Sequence, residues 1–233
     1  MGREKSELAA KASRIFFYLS TVLLILSPLF IFVYAPTERV MGDVQRIFYF
    51  HVASAWVGFF AFFVVFTASL VYILKEKVIW HQMSLASAEI GVLFTTFVIG
   101  SGMLWGRAAW NTWWTWDPRL TTTLIMWFVY LGYLFLNTAA TRDKKRKLTA
   151  IYGLISFINI PLVFMSIRWW RTLHPVVIEM DGGGGLTPRM VHVMLYSLLT
   201  LTVLYLALFL FRFRQLRLKN KLREVKNSID NVR

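Results

Sequence analysis

The chain has 233 residues, of which 57% are hydrophobic and 16% charged, and its formal net charge is +14. That composition excludes a single soluble domain, and several apolar runs reach the ~20 residues that carry a helix across a bilayer. The expected class is therefore an all-α, polytopic integral membrane protein. A transmembrane barrel would show alternating segments of about 10 residues, and the sequence has none. There are no cysteines, which excludes disulfides, thiolate metal sites, dithiol redox chemistry and covalent cofactor attachment through C-x-x-C-H. The positive charge is explained by basic loops on the cytoplasmic side and by anionic lipid headgroups, not by nucleic acid.

Six spans are predicted. The N-terminal segment carries Arg3, Lys5, Lys11 and Arg14 and leads into a first span over about 15–35, with Pro28 marking a kink. This run is long enough to span and lacks a small-residue cleavage site, so it reads as a helix, not a signal peptide. The second span covers about 47–74 and the third about 83–104, joined by the Lys75-Glu76-Lys77 turn. The fourth covers about 120–138. A basic loop, Arg142 to Lys147, precedes the fifth, about 148–167, with Pro161 inside it. The loop from Arg168 to Arg189 holds Trp169, Trp170, His174 and a flexible run, Gly182 to Gly185. The sixth span covers about 190–211. Residues 1–212 thus read as one membrane domain and 213–233 as a basic tail. In that tail Leu218, Leu222, Val225 and Ile229 recur at helical spacing among lysines and arginines. They suit an amphipathic continuation of the last span, and equally a solvated end.

The N-terminus, the 75–77 turn, the 142–147 loop and the end of the chain from Arg212 hold 19 of the 26 lysines and arginines. By the positive-inside rule that side is cytoplasmic. Both termini then lie inside, and the segments 105–121 and 168–189 face outward.

The segment 105–121, W-G-R-A-A-W-N-T-W-W-T-W-D-P-R-L-T, holds Trp105, Trp110, Trp113, Trp114 and Trp116, half of the ten tryptophans. Interfacial anchoring accounts for one or two indoles, and for Trp169 and Trp170 equally well. Five within twelve residues make a platform for a flat ligand. If 110–116 is helical, Trp110, Trp113 and Trp114 share one face. Asp117-Pro118 reads as an N-cap followed by proline at the first helical position, and this is compatible with a ligand role. Arg119 suits either a lipid headgroup or a buried carboxylate held by two parallel bonds.

Four histidines remain. His51 lies one turn into the second span and His174 shortly after the fifth, both on the outer side. His81 sits beside the inner lysine turn as an interfacial residue, and His192, at the outer start of the sixth span, is held in reserve. A lone histidine on a membrane helix is usually a packing residue. Two on the platform's side fit a pair of axial haem ligands. An aromatic platform, two histidines and nearby arginines ask for a metalloporphyrin bearing propionates. Glu89, the one acid inside a span, has no role in this picture, and Ser84 or a lysine is its expected partner. No G-x-x-x-x-G-K-[ST] occurs, so no P-loop nucleotide hydrolysis is expected.

The pattern W-G-x-x-x-W-x-x-W-W-x-W-D-x-R-L-T resembles the WWD signature of haem-handling proteins in cytochrome c maturation. Nearly the whole chain, apart from the tail, is similar to the CcmC family of haem exporter proteins. The run R-I-F-Y-F-H-V, residues 46–52, resembles that family's first histidine segment, and W-W-R-T-L-H, residues 169–174, its second. The resemblance implies that His51 and His174 are axial ligands of a non-covalent haem b. It implies that Trp110, Trp113, Trp114, Trp116 and Asp117 form the platform, flanked by Trp105, Trp169 and Trp170, and that Arg46 and Arg119 face the propionates. It also implies a component of the inner membrane, not an enzyme, that presents haem at the outer face to the chaperone CcmE. The small protein CcmD and the ABC-type proteins CcmA and CcmB would be its partners. A haem-attaching synthase of the CcsA or CcmF type would be larger, with a further histidine pair within its spans. A small-solute transporter would leave the platform unexplained.

Overall fold

The computed structural model describes residues 2–138, 143–172 and 186–230. Among them the secondary structure is helical throughout, apart from one isolated bridge between Glu38 and Gly42. The helices are α1 (Gly2–Pro28), α2 (Ile47–Lys75), α3 (Val78–Trp110), α4 (Pro118–Thr138), α5 (Asp143–Ser156), α6 (Asn159–Trp169) and α7 (Pro188–Asp230). Six segments are long and apolar enough to cross a membrane: Ala10–Tyr34, Asp43–Lys75, Val78–Trp110, Pro118–Thr138, Lys145–Trp169 and Pro188–Asp230.

The two prolines act differently from each other. After Pro28 the first span widens into a π-helix, Leu29–Tyr34. A proline has no N–H and its ring crowds the carbonyl four residues back, so the ladder shifts register there. The fifth span, expected as one helix, is two. α5 ends at Ser156, Phe157 and Ile158 turn, and α6 restarts at Asn159. Pro161 therefore lies in the first turn of a helix, where a missing N–H costs nothing. α3 is longer than expected and carries Trp105 and Trp110 on its last turns. α7 takes in both the sixth span and the basic tail as one helix of 43 residues, about 64 Å at 1.5 Å per residue. Its Leu218, Leu222, Val225 and Ile229 stay exposed.

α2 and α3 form an antiparallel hairpin at the centre. Their turn closes where Glu76 adopts a left-handed conformation and its N–H reaches Tyr72 O at 2.7 Å. At their crossing, a Cβ on Gly91 would stand 2.5 Å from the Phe62 ring. Glycine there lets Phe62 enter the core, where it stacks on Tyr130 with centroids 3.5 Å apart. One apolar cluster joins α2, α3, α4 and α6 through Phe62, Val65, Val92, Met126, Tyr130 and Val163. A second joins α2 and α3 to α7 through Val57, Phe94, Leu201 and Tyr205. α1 lies outside this core against α7, pinned where Phe30 stacks on Tyr196 and the Tyr196 hydroxyl donates to Leu23 O at 2.7 Å. The loop before α2 is folded by Glu38, whose carboxylate accepts the N–H groups of Met41 and Val40. These bonds hold its carboxyl below the usual carboxylate range.

Hydroxyl pairs tie the helices together toward the 75–77 turn. Ser84 Oγ shares hydrogen bonds with Ser69 Oγ at 3.0 Å and with the Tyr133 hydroxyl at 2.7 Å. Ser87 Oγ donates to Ala61 O and pairs with the Tyr205 hydroxyl. Two expectations change here. His81 is buried, not interfacial: it accepts from Asn137 Nδ2 at 3.4 Å and packs beside Tyr72. Glu89 is paired neither with Ser84 nor with a lysine. Arg212 of α7 grips it with Nε and Nη2, the latter at 2.8 Å. Burial at the helix junction favours the planar, two-toothed arginine partner.

Candidate functional site

The tryptophan segment folds from both ends. α3 stops where Asn111 takes a left-handed conformation at φ 56°, a common way to end a helix. Arg107 donates to both the backbone oxygen and the side-chain Oδ1 of Asn111, fixing that turn. α4 starts at the other end as the sequence predicts. Asp117 caps it, with Oδ1 accepting the Arg119 N–H at 2.9 Å, and Pro118 is the first helical residue. Asp117 also accepts from Thr172 Oγ1 at 2.8 Å, so it binds the loop to the segment just past α6. It is 8% exposed, as a cap with two partners in place should be.

Residues 111–117 are not helical, and the shared face of Trp110, Trp113 and Trp114 therefore does not form. The indoles meet edge to face. Trp105 and Trp110 have centroids 4.9 Å apart at 83°, and Trp114 and Trp116 are 5.9 Å apart at 83°. This is the arrangement that aromatic quadrupoles favour, and it replaces a flat table with a ribbed surface. Trp113 and Trp116 are 54% and 77% exposed, whereas Trp114 turns inward.

Beneath Trp114 is a cavity of about 40 Å³ between α2, α3, α4 and α6, lined also by His51, Phe59, Thr95, Arg119 and Met126. His51 reaches it from the first turns of α2, and its Nδ1 lies 3.0 Å from Ser101 Oγ on α3. Arg119 reaches it from the start of α4, and its Nη1 points to Val163 O at 3.5 Å. The structure thus brings a histidine from the start of α2 against an indole and an arginine of the tryptophan segment.

Other expected residues lie elsewhere. Arg46 does not line the cavity. It is bound to Asp43 through Nε at 2.8 Å, to Thr37 Oγ1 and to Ile31 O, and it covers the Phe32 ring. These contacts hold the entry of α2 against the π-helix. Trp169 and Trp170 end α6 exposed, edge to face with centroids 5.9 Å apart. His192 pairs with the Tyr34 hydroxyl at 3.0 Å on the α1 side. His174 falls outside the described residues. The sequence reading missed Ser101, Gly102, Arg107 and Thr172. Only Arg107, inside the tryptophan segment, carried any signal; the other three acquire roles from tertiary contact alone.

The sequence matches the profile of the family described as CcmC, heme exporter protein C, over residues 2–228. The chain belongs to the CcmC family. A heme exporter protein C from Bradyrhizobium diazoefficiens is 31% identical over 88% of this chain and 79% of its own length. The one from Haemophilus influenzae is 34% identical over 72% of this chain and 68% of its own. A putative cytochrome c biosynthesis ccmC-like mitochondrial protein of Marchantia polymorpha is 36% identical over 60% of this chain, which spans 59% of that relative. The donor chemistry of the cavity fits the cargo those names indicate. Neutral imidazole is an iron ligand and guanidinium a carboxylate clamp. The present volume of about 40 Å³ admits only a few waters, so a macrocycle at this place requires the lining to open. Thr115 Oγ1 and Thr121 Oγ1, both buried in the same segment, find no hydrogen-bond partner among the described residues.

Proposed function

We propose that this CcmC-family chain is a haem-binding component of cytochrome c biogenesis, seated in the cytoplasmic membrane with the tryptophan segment on the outer face. The cargo is haem b, held without covalent attachment; its iron takes an imidazole on each side. His51 supplies one imidazole and His174 the other. Arg119 neutralises a propionate from within the cavity, and Arg46, already engaged by Asp43, contributes to the positive field at the same end. The ribbed indoles Trp105, Trp110, Trp113, Trp114 and Trp116 exclude water from the ring edges. Trp169 and Trp170 close the opposite side. Asp117 holds the loop and Arg119 in register through its cap.

The observation that carries this reading is the convergence of His51, Arg119 and Trp114 on one cavity. Anchoring at a membrane interface explains exposed indoles, but it does not place an indole over a partly buried arginine and a histidine. The exposed Trp113 and Trp116 then serve delivery, since a carrier must leave part of its cargo open to a receiver. That receiver is the chaperone CcmE, with CcmD assisting and the ABC-type proteins CcmA and CcmB taking part in release of the loaded chaperone. The chain itself performs no bond chemistry on the haem. The test is haem binding to the purified protein. His51→Ala and Arg119→Ala should each weaken haem binding, and His192→Ala should not. Loss confined to His192→Ala would move the site to the α1 side.

A further inference from the structure

His51 is seated on α3 by two consecutive residues. Gly102 gives it room: a Cβ there would stand 3.3 Å from His51 Cε1 and 3.8 Å from Nδ1. Ser101 gives it a partner. The serine hydroxyl has one hydrogen, and two carbonyls of its own helix lie in reach, Phe97 O at 2.6 Å and Val98 O at 3.3 Å. A short bond to the carbonyl four residues back takes that hydrogen. The oxygen then offers only lone pairs to the nitrogen 3.0 Å away. An Nδ1 bearing its own lone pair would face them unfavourably; an Nδ1–H would donate to them. The Val98 carbonyl, in reach of Ser101 Oγ, belongs to the same stretch of α3 and is the other acceptor near the ring.

We propose that Ser101 is a positioning residue: its hydroxyl holds His51 as the Nδ1–H tautomer and so reserves the Nε2 lone pair for iron. The inference rests on reading His51 as a haem ligand. Its first half, the tautomer, stands on protein contacts alone. A ligand histidine whose second nitrogen donates to a fixed acceptor is oriented and made more basic toward the metal. Without that acceptor the ring would divide between tautomers, and one of them puts a hydrogen where iron must bind. Ser101 differs in this from the closed serine pairs deeper in the helices, because its hydrogen is already spent within α3 and its oxygen serves another residue.

The experiment uses the full-length protein labelled with ¹⁵N-histidine, in detergent and free of haem. Nitrogen NMR separates Nδ1–H from Nε2–H, and His51→Ala identifies the His51 signals among the four histidines. The parent and Ser101→Thr should show His51 as Nδ1–H. Ser101→Ala should move population to Nε2–H, the form a free neutral side chain prefers. Haem titration of the same samples should show a dissociation constant about tenfold higher for Ser101→Ala, with Ser101→Thr near the parent. An Nε2–H signal in the parent overturns the proposal. So does an unchanged tautomer in Ser101→Ala, because the Val98 carbonyl would then suffice, and so does unchanged haem affinity in that variant. A haem spectrum unaltered by His51→Ala would instead remove the ligand assignment on which the proposal rests, whatever the tautomer.

Discussion

The two ends of the helix bundle are built to different rules. Toward the 75–77 turn, buried polar groups close on one another, Ser84 with Ser69 and Tyr133, Ser87 with Tyr205 and His81 with Asn137, and the partly exposed Glu89 pairs with Arg212. Toward the tryptophan segment, Ser54, Thr115, Thr121 and Ser197 keep buried oxygens without partners among the described residues, and Arg119 projects into a cavity. Closed pairs remove the cost of burying polar atoms and add rigidity. Open ones raise that cost, and a chain keeps them where something else will complete the set. On the proposed function, the difference separates a scaffold end from a binding end.

The comparison breaks most sharply at its histidines. Replacing both His51 and His174 by alanine should abolish most haem binding, measured as haem per protein after reconstitution. His81→Ala, at the closed end, should bind as the parent does. A comparable loss from His81→Ala would mean that both ends serve binding. The indoles come next. Trp114→Ala should cost on the order of 1–3 kcal/mol of haem affinity, by analogy with aromatic stacking on planar bases, while Trp80→Ala should leave affinity unchanged in the same titration. Equal losses would indicate general destabilisation.

Much of this was legible in the sequence, for reasons that can be named. The six spans follow from run length and hydropathy, but not their ends: α3 runs from Val78 to Trp110 where about 83–104 was expected, because helix continues past the apolar run at both sides. Asp117-Pro118 was readable as a cap because capping is local. The flat face of Trp110, Trp113 and Trp114 was not, since it assumed a helix that Asn111 ends. Arg46 and Arg119 looked alike as arginines at span ends; only tertiary contact shows one tied to Asp43 and Ile31 and the other aimed into a cavity. Ser101 and Gly102 gave no signal, because small residues on a membrane helix are common packing elements. The partner of Glu89 lay 123 residues away on a helix whose continuity past the membrane no local pattern could decide.

Smaller effects sharpen the contrast. Glu89→Gln should lower stability by about 1 kcal/mol, less than a fully buried charged pair because both side chains are partly exposed. Thermal melting in detergent would show it, and the haem spectrum should not move. A changed spectrum would connect the α3–α7 junction to the site. The least perturbing probes are single cysteines at exposed Ala109 and Lys145, in a chain with no cysteine of its own. An impermeant thiol reagent on intact cells should label Ala109→Cys and spare Lys145→Cys. The reverse pattern would invert the orientation.

The central claim is that His51 meets haem iron in the cavity beneath Trp114. Its most direct test is the visible absorption spectrum of the ferric, haem-loaded protein, compared with that of His51→Ala and of His51→Ala with added imidazole. Two axial imidazoles give six-coordinate low-spin iron in the parent. The variant should lose that signature, and free imidazole, matching the vacated ring in size, should restore part of it. A parent-like spectrum in His51→Ala without imidazole would contradict the account.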